Sequence, residues 1–208
     1  MLEWENYVIA IGAYLLGSIP SGFLMAKARG VDITKVGSGN IGATNAFRVL
    51  GKTAGSIVLL ADALKGFLAI RLLPDLVATI PSESHGMLAG LLVILGHNYT
   101  CWLKFKGGKG IATSAGVLLA LTPQGLAWAL AAWIFVFVLG RYVSLASLVA
   151  ALVLPFAVWL SGGSRSMLLL TAILSAMAIY KHKPNIQRLL AGTESRFSSK
   201  KNNPPLNR

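Results

Sequence analysis

The sequence predicts an all-α integral membrane protein of seven transmembrane helices, with the N-terminus outside (periplasmic) and the C-terminus cytoplasmic. Two observations carry this fold class. Hydrophobic residues make up 55% of the 208-residue chain and mean hydropathy is +0.66, far more apolar than one soluble core needs. The basic residues also segregate between alternate connections of the apolar runs, as the positive-inside rule demands.

The first run, Tyr7 to Ala26, follows Glu3 and Glu5 where a cleavable leader carries basic residues, and no small-residue cleavage site follows, so it reads as a retained span. Gly17, Pro20 and Gly22 interrupt it, which places its second half beside a cavity. Ser56 to Leu73 is the second run, with Asp62 and Lys65 on one face as a structural ion pair. The third, Met87 to Leu103, ends in polar His97-Asn98-Tyr99. The fourth, Ile111 to Leu121, is short for an upright crossing. Parity favours a span over a re-entrant hairpin, because a hairpin would put the basic tail opposite the basic first loop. Leu126 to Leu139, Val143 to Leu160 and Met167 to Tyr180 complete the set.

With seven crossings, Lys27, Arg29, Lys35, Arg48, Lys52, Lys104, Lys106, Lys109, Arg141 and the tail from Lys181 share the cytoplasmic side. Arg71 and Arg165 lie outside with Glu3, Glu5, Asp75 and Glu83. Residues 1–194 therefore read as one membrane domain, and 195–208, basic and carrying Pro204-Pro205, as a disordered tail near the anionic leaflet. Cys101 is the only cysteine, which excludes an intramolecular disulfide.

Three segments on the basic side have the composition of anion sites: Gly37-Ser-Gly-Asn-Ile-Gly-Ala-Thr-Asn45 with Arg48, Phe105-Lys-Gly-Gly-Lys-Gly110, and Lys181-His-Lys-Pro-Asn185 with Arg188. Glycine lets backbone N–H groups approach phosphate oxygens, and Lys, Arg and amides supply charge and donors. The net charge of +12 thus points to anionic lipid and substrate, not nucleic acid. Gly37-x-Gly39-x-x-Gly42 spells a dinucleotide fingerprint but lies between membrane runs, without the βαβ unit such a site needs. No P-loop, metal-ligand cluster or Gly-x-Ser-x-Gly elbow occurs, so ATP hydrolysis, metal catalysis and a serine triad are not indicated. His182, between Lys181 and Lys183, is expected to be neutral and able to accept a proton.

The motifs resemble, in order, those of the bacterial acyl-phosphate-dependent glycerol-3-phosphate acyltransferases, the PlsY family. Gly17-Ser-Ile-Pro-Ser-Gly22, the Gly37–Asn45 loop with Arg48, Asp62-x-x-Lys-Gly66, Gly96-His97 through Thr113, Arg141-Tyr-Val-Ser-Leu-Ala-Ser147 and His182-x-x-Asn185 through Glu194 carry the likeness. Thr100 departs from it, standing where the family often has proline. The resemblance implies transfer of an acyl group from acyl phosphate to the 1-hydroxyl of sn-glycerol 3-phosphate, giving lysophosphatidic acid and phosphate. It implies no cofactor, and a location in the bacterial inner membrane with the active site facing the cytoplasm. A soluble acyl-phosphate-forming enzyme would supply the donor.

By the same resemblance Ser38, Arg48, Lys109, His182 and Asn185 hold glycerol 3-phosphate and carry catalysis, while Asn40, Thr44, Asn45 and Ser144 cradle the acyl-phosphate head. Gly39, His97, Gly107, Gly108 and Gly110 complete the substrate site, Gly17 and Gly22 admit the acyl chain, and Glu194 is structural, tethering the tail through a cation. The His-x-x-x-x-Asp pair of acyl-CoA-dependent enzymes is absent. Transport of a small phosphorylated anion is the alternative class, disfavoured because the basic groups gather on one face.

Overall fold

A computed structural model describes residues 3–197, and every regular element in it is helical. The first apolar run forms two helices, α1 (Glu3–Ser18) and α2 (Ser21–Lys27), because Pro20 cannot continue the backbone ladder. Protein groups cap the carbonyls freed at this break. The Thr100 hydroxyl donates to the Ser18 carbonyl at 2.6 Å and the Lys65 ammonium to the Ile19 carbonyl at 2.9 Å. Gly17 and Gly22 themselves are packing positions, since a Cβ on Gly17 would meet the Val93 carbonyl and one on Gly22 the Ile41 carbonyl, while an apolar groove beside the second half of the run is lined by Ile19, Leu24, Met25 and Ile57.

The other six runs are α4 (Lys52–Val77), α5 (Glu83–Asn98), α6 (Ile111–Leu121), α7 (Pro123–Gly140), α8 (Val143–Leu160) and α9 (Arg165–Lys181). Two short amphipathic helices, α3 (Ala43–Leu50) and α10 (Lys183–Leu190), lie where the sequence suggested only loops. Four stretches, Trp4–Lys27, Glu83–Leu103, Pro123–Gly140 and Val143–Leu160, are long and apolar enough to cross a membrane. Large apolar side chains such as Phe135, Val138, Phe156 and Trp159 face outward, which suits a surface solvated by lipid.

The helices pack through small residues, the device open to a bundle in lipid. Gly96 on α5 lies on the Tyr14 carbonyl of α1, and Gly66 and Gly116 seat α4 and α6 on each other's backbone. Between them runs a core of Ile9, Val93, Ile94, Val117, Val158 and Leu174. A second cluster, Ala26, Ile33, Ile41, Ala46 and Val58, anchors the 28–42 connection on α2, α3 and α4. At one end of the bundle Glu5 accepts from the Thr79 backbone N–H at 2.9 Å and its hydroxyl at 2.7 Å, tying α1 to the α4–α5 connection. All three glycine-rich or basic motifs lie toward the other end, around the mouth of one cavity.

Candidate active site

The cavity measures about 890 Å³. Its polar end is built by the 37–48 segment, the 109–112 segment, the start of α8, the α9–α10 junction and the stretch after α10. Its apolar limb runs between α6, α7, α8 and α9 past Leu118, Leu126, Leu130, Leu154 and Leu174.

Asn45, 1% exposed, organises the first wall. Its amide nitrogen donates to the carbonyls of Asn40 (2.9 Å) and Val36 (3.1 Å), and its oxygen accepts from the Ser38 N–H at 2.9 Å. Both amide protons are therefore engaged in shaping the loop, and Asn45 lines the cavity from within it. Gly37 takes a left-handed φ of 61°, and a Cβ there would strike the Asn45 amide. Asn40 accepts from the Gly42 N–H at 2.9 Å, just ahead of α3. Thr44, in the first turn of α3, and Arg48, one turn on, line the cavity with Ser38.

Gly110 opens α6 in a left-handed conformation, and with Ile111 and Ala112 it brings the N-terminus of that helix to the same space. Gly107 and Gly108 do not line the cavity. Their N–H groups donate to the carbonyls of Asn98 and His97 at 3.2 and 3.0 Å, folding the loop onto the end of α5. A Cβ on Gly108 would collide with the His97 ring, so this glycine permits contact with a histidine instead of a ligand. Gly39 also stays off the wall, its φ of 68° serving the turn.

Lys109, between Gly108 and Gly110, donates to the Asn185 side-chain oxygen. Burial, with the nearby Arg188 and Arg48 cations, lowers its pKa to about 8. It remains mostly charged at neutral pH. Asn185 donates onward to Glu194 at 2.7 Å, which also takes hydrogen bonds from Ser144 and from Arg188, each at 2.7 Å. Burial alone would raise the Glu194 carboxyl, yet these three donors hold it below the usual range. Ser144 thus anchors Glu194, and Arg188 is the cation expected to tether it. Arg188 also lines the cavity, one turn after Asn185, as its place in the third anion-binding segment suggests.

His182 sits at the α9–α10 junction, 3% exposed. Pro184 opens α10 where its missing N–H costs nothing. The Nδ1 of His182 lies 2.7 Å from the Ala178 carbonyl, which can only accept, so Nδ1 carries the proton and Nε2 is left as an acceptor. Burial and then the Lys109 charge lower its pKa to about 4, so the ring is neutral, as the sequence suggested.

Below the polar end lies a triad assembled from two runs. The Lys65 ammonium donates to His97 Nδ1 and to the Ile19 carbonyl, each at 2.9 Å, and lies 2.8 Å from Asp62 Oδ1 as an ion pair. The ion pair expected in α4 is present, and His97 joins it, lining the cavity from below. Among the described residues no group of His, Cys, Asp and Glu has the arrangement of a metal site.

Two helix N-termini, three cations and a neutral imidazole thus converge at the head of an apolar channel, an arrangement suited to anions attached to hydrocarbon. Residues 7–192 match the family model described as glycerol-3-phosphate acyltransferase. The chain belongs to the glycerol-3-phosphate acyltransferase family. A glycerol-3-phosphate acyltransferase of Geotalea daltonii is 48% identical over 93% of this chain and 98% of its own length. One of Desulforamulus reducens is 45% identical over 97% of this chain and 100% of its own. Crystal structures of PlsY (YgiH), an integral membrane glycerol 3-phosphate acyltransferase, superpose with TM-scores of 0.86 for the glycerol 3-phosphate form and 0.84 for the lysophosphatidic acid form. Identities are 41% and 40%, each covering 93% of this chain and 96% of the other.

The chain is accordingly an integral membrane acyltransferase. Of the residues expected in its site, Ser38, Asn40, Thr44, Asn45, Arg48, His97, Lys109, Gly110, Ser144, His182, Asn185 and Glu194 line the one cavity. The apolar limb was not legible, because it joins single faces of four separate helices. Gly17 and Gly22 are absent from it. The tail expected from Ser195 is corrected for its first three residues: Ser195 and Phe197 line the acyltransferase cavity, and Arg196 donates to the Tyr142 hydroxyl at 2.9 Å. The remaining tail, 198–208, lies outside the described residues.

Proposed function

We propose that this acyltransferase takes its acyl group from a long-chain acyl phosphate and transfers it to the 1-hydroxyl of sn-glycerol 3-phosphate. The products are lysophosphatidic acid and inorganic phosphate, and the step opens bacterial phospholipid synthesis. The observation that carries this reading is the union, in one cavity, of an anion-binding head and an apolar limb. Both substrates bear phosphate, and only the donor bears a long chain.

In this reading Arg48, Lys109 and Ser38 receive the glycerol 3-phosphate phosphate, and Asn185 holds Lys109 in place. The donor phosphate meets Asn40, Thr44 and the N-terminus of α3, with its chain along α6 to α9. The acceptor oxygen forms an ester bond to the acyl carbon as the bond from that carbon to the phosphate oxygen breaks. Phosphate needs little help to leave, so positioning and charge neutralisation dominate.

The acceptor proton goes to a substrate phosphate oxygen. His182 Nε2 accepts a hydrogen bond from the hydroxyl and orients it, but an imidazole with a pKa near 4 holds a proton less well than a phosphate monoester, whose second pKa is about 6. No cofactor takes part. We further infer seven crossings of the bacterial inner membrane, with the N-terminus outside and the cavity mouth and C-terminus cytoplasmic, supported by the charge asymmetry of the connections. A soluble acyl-phosphate-forming enzyme supplies the donor.

Purified protein given palmitoyl phosphate and glycerol 3-phosphate, with palmitoyl-CoA as parallel donor, provides the test. Lysophosphatidic acid and phosphate from the acyl phosphate alone are expected. Product from the CoA ester alone would overturn the donor.

A further inference from the structure

The strap after α10 is fixed at both ends. Glu194 is held by Ser144, Asn185 and Arg188, and three residues on the Phe197 N–H donates to the Arg141 carbonyl at 2.7 Å, on the α7–α8 connection. Arg196 adds a hydrogen bond to Tyr142 and lies 5.2 Å over its ring. These anchors carry the chain across the cavity head.

Phe197 is aimed inward. Its ring meets Phe47 of α3 edge-on at 6.1 Å and Phe137 of α7 edge-on at 5.7 Å, and Phe137 stacks on Trp133 at 4.8 Å. All four aromatics line the cavity. Phe47 belongs to the short helix whose N-terminus serves the head, whereas Trp133 and Phe137 begin the apolar limb, so Phe197 joins the two. The strap lies past the 7–192 stretch matched by the family model.

We propose that Phe197 is a donor-positioning residue: its ring walls the cavity where the acyl carbonyl meets the first methylenes of the chain, holding the donor and excluding water from the reacting carbon. This inference rests on the acyl-phosphate reading above. A ring at that junction touches the donor's chain and leaves the glycerol phosphate pocket untouched.

The test is a steady-state comparison of wild type, Phe197→Ala and Phe197→Leu in the full chain, varying palmitoyl phosphate and glycerol 3-phosphate separately. Phosphate release without acceptor reports hydrolysis. Phe197→Ala is expected to raise the half-saturating palmitoyl phosphate concentration about tenfold, as loss of a buried aromatic contact implies. It should leave that for glycerol 3-phosphate within about twofold and raise acceptor-free hydrolysis, while Phe197→Leu restores most of the donor affinity. Equal rises for both substrates, no change for either, or no rescue by leucine would overturn the proposal and leave the acyl-phosphate reading standing. Wild-type protein that ignores acyl phosphate would remove both.

Discussion

Two charge clusters in this acyltransferase use similar residues to opposite ends. The triad of Asp62, Lys65 and His97 is charge-balanced and buried: each is 5% exposed or less, and the one ammonium lies 2.8 Å from the one carboxylate. The cluster of Lys109, Asn185, Arg188 and Glu194 is open, with one carboxylate against two cations of its own and Arg48 across the cavity. A balanced cluster compensates its burial and holds helices together, while an open one retains positive charge for a ligand. Chemical identity of the side chains does not distinguish them. Their surroundings do.

The comparison is tested most severely by Asp62→Asn. Lys65 would keep its charge in a buried site without a counter-ion, and a loss of about 3–5 kcal/mol is expected, read as a large fall in thermal stability in detergent. A variant as stable as wild type would break the idea that the triad is architectural. Lys109→Met should do the converse, lowering kcat/KM by about 10²–10³-fold with little change in melting temperature. Stability loss comparable to that of Asp62→Asn would erase the contrast.

His182→Gln sharpens the chemistry within the open cluster. Glutamine can accept a hydrogen bond but cannot serve as base, so a substrate-assisted transfer predicts a rate loss of about tenfold, below the 10²–10⁴ that removing a general base costs. A fall into that range in maximal rate, with affinity intact, would return the proton to His182.

The smallest effect concerns pH. Lys109 has its pKa lowered to about 8, so its cation is present at neutral pH and lost as pH rises through that value. The half-saturating concentration of glycerol 3-phosphate should therefore climb above pH 8. In Lys109→Arg the guanidinium stays protonated and the climb should vanish. An identical rise in both proteins would assign it to another group.

Much of this was legible in the chain. The seven apolar runs are all helical and the Asp62–Lys65 pair follows from spacing, while His182 is neutral as expected but through burial and the Lys109 charge, not through its sequence neighbours. Asn45 was recognised as part of a site, but its task of holding the loop was not legible, because its four hydrogen-bonding partners arise from a loop fold that spacing does not specify. Gly17 and Gly22 were read as a portal and prove to be packing positions, since a small residue admits a neighbouring backbone as readily as a lipid chain. Phe197 lay in a segment whose composition resembles a solvated tail.

Composition, apolar runs and charge asymmetry by themselves determined an all-helical membrane protein with its anion-binding motifs on one face, because burial in lipid and charge placement act on local sequence. Tertiary structure alone decided that His97 joins Asp62 and Lys65, that Ser144 serves Glu194, and that four helices enclose the apolar limb. Those outcomes depend on contacts between residues tens of positions apart, whose geometry is set by how glycine-faced helices pack and not by any periodicity along the chain.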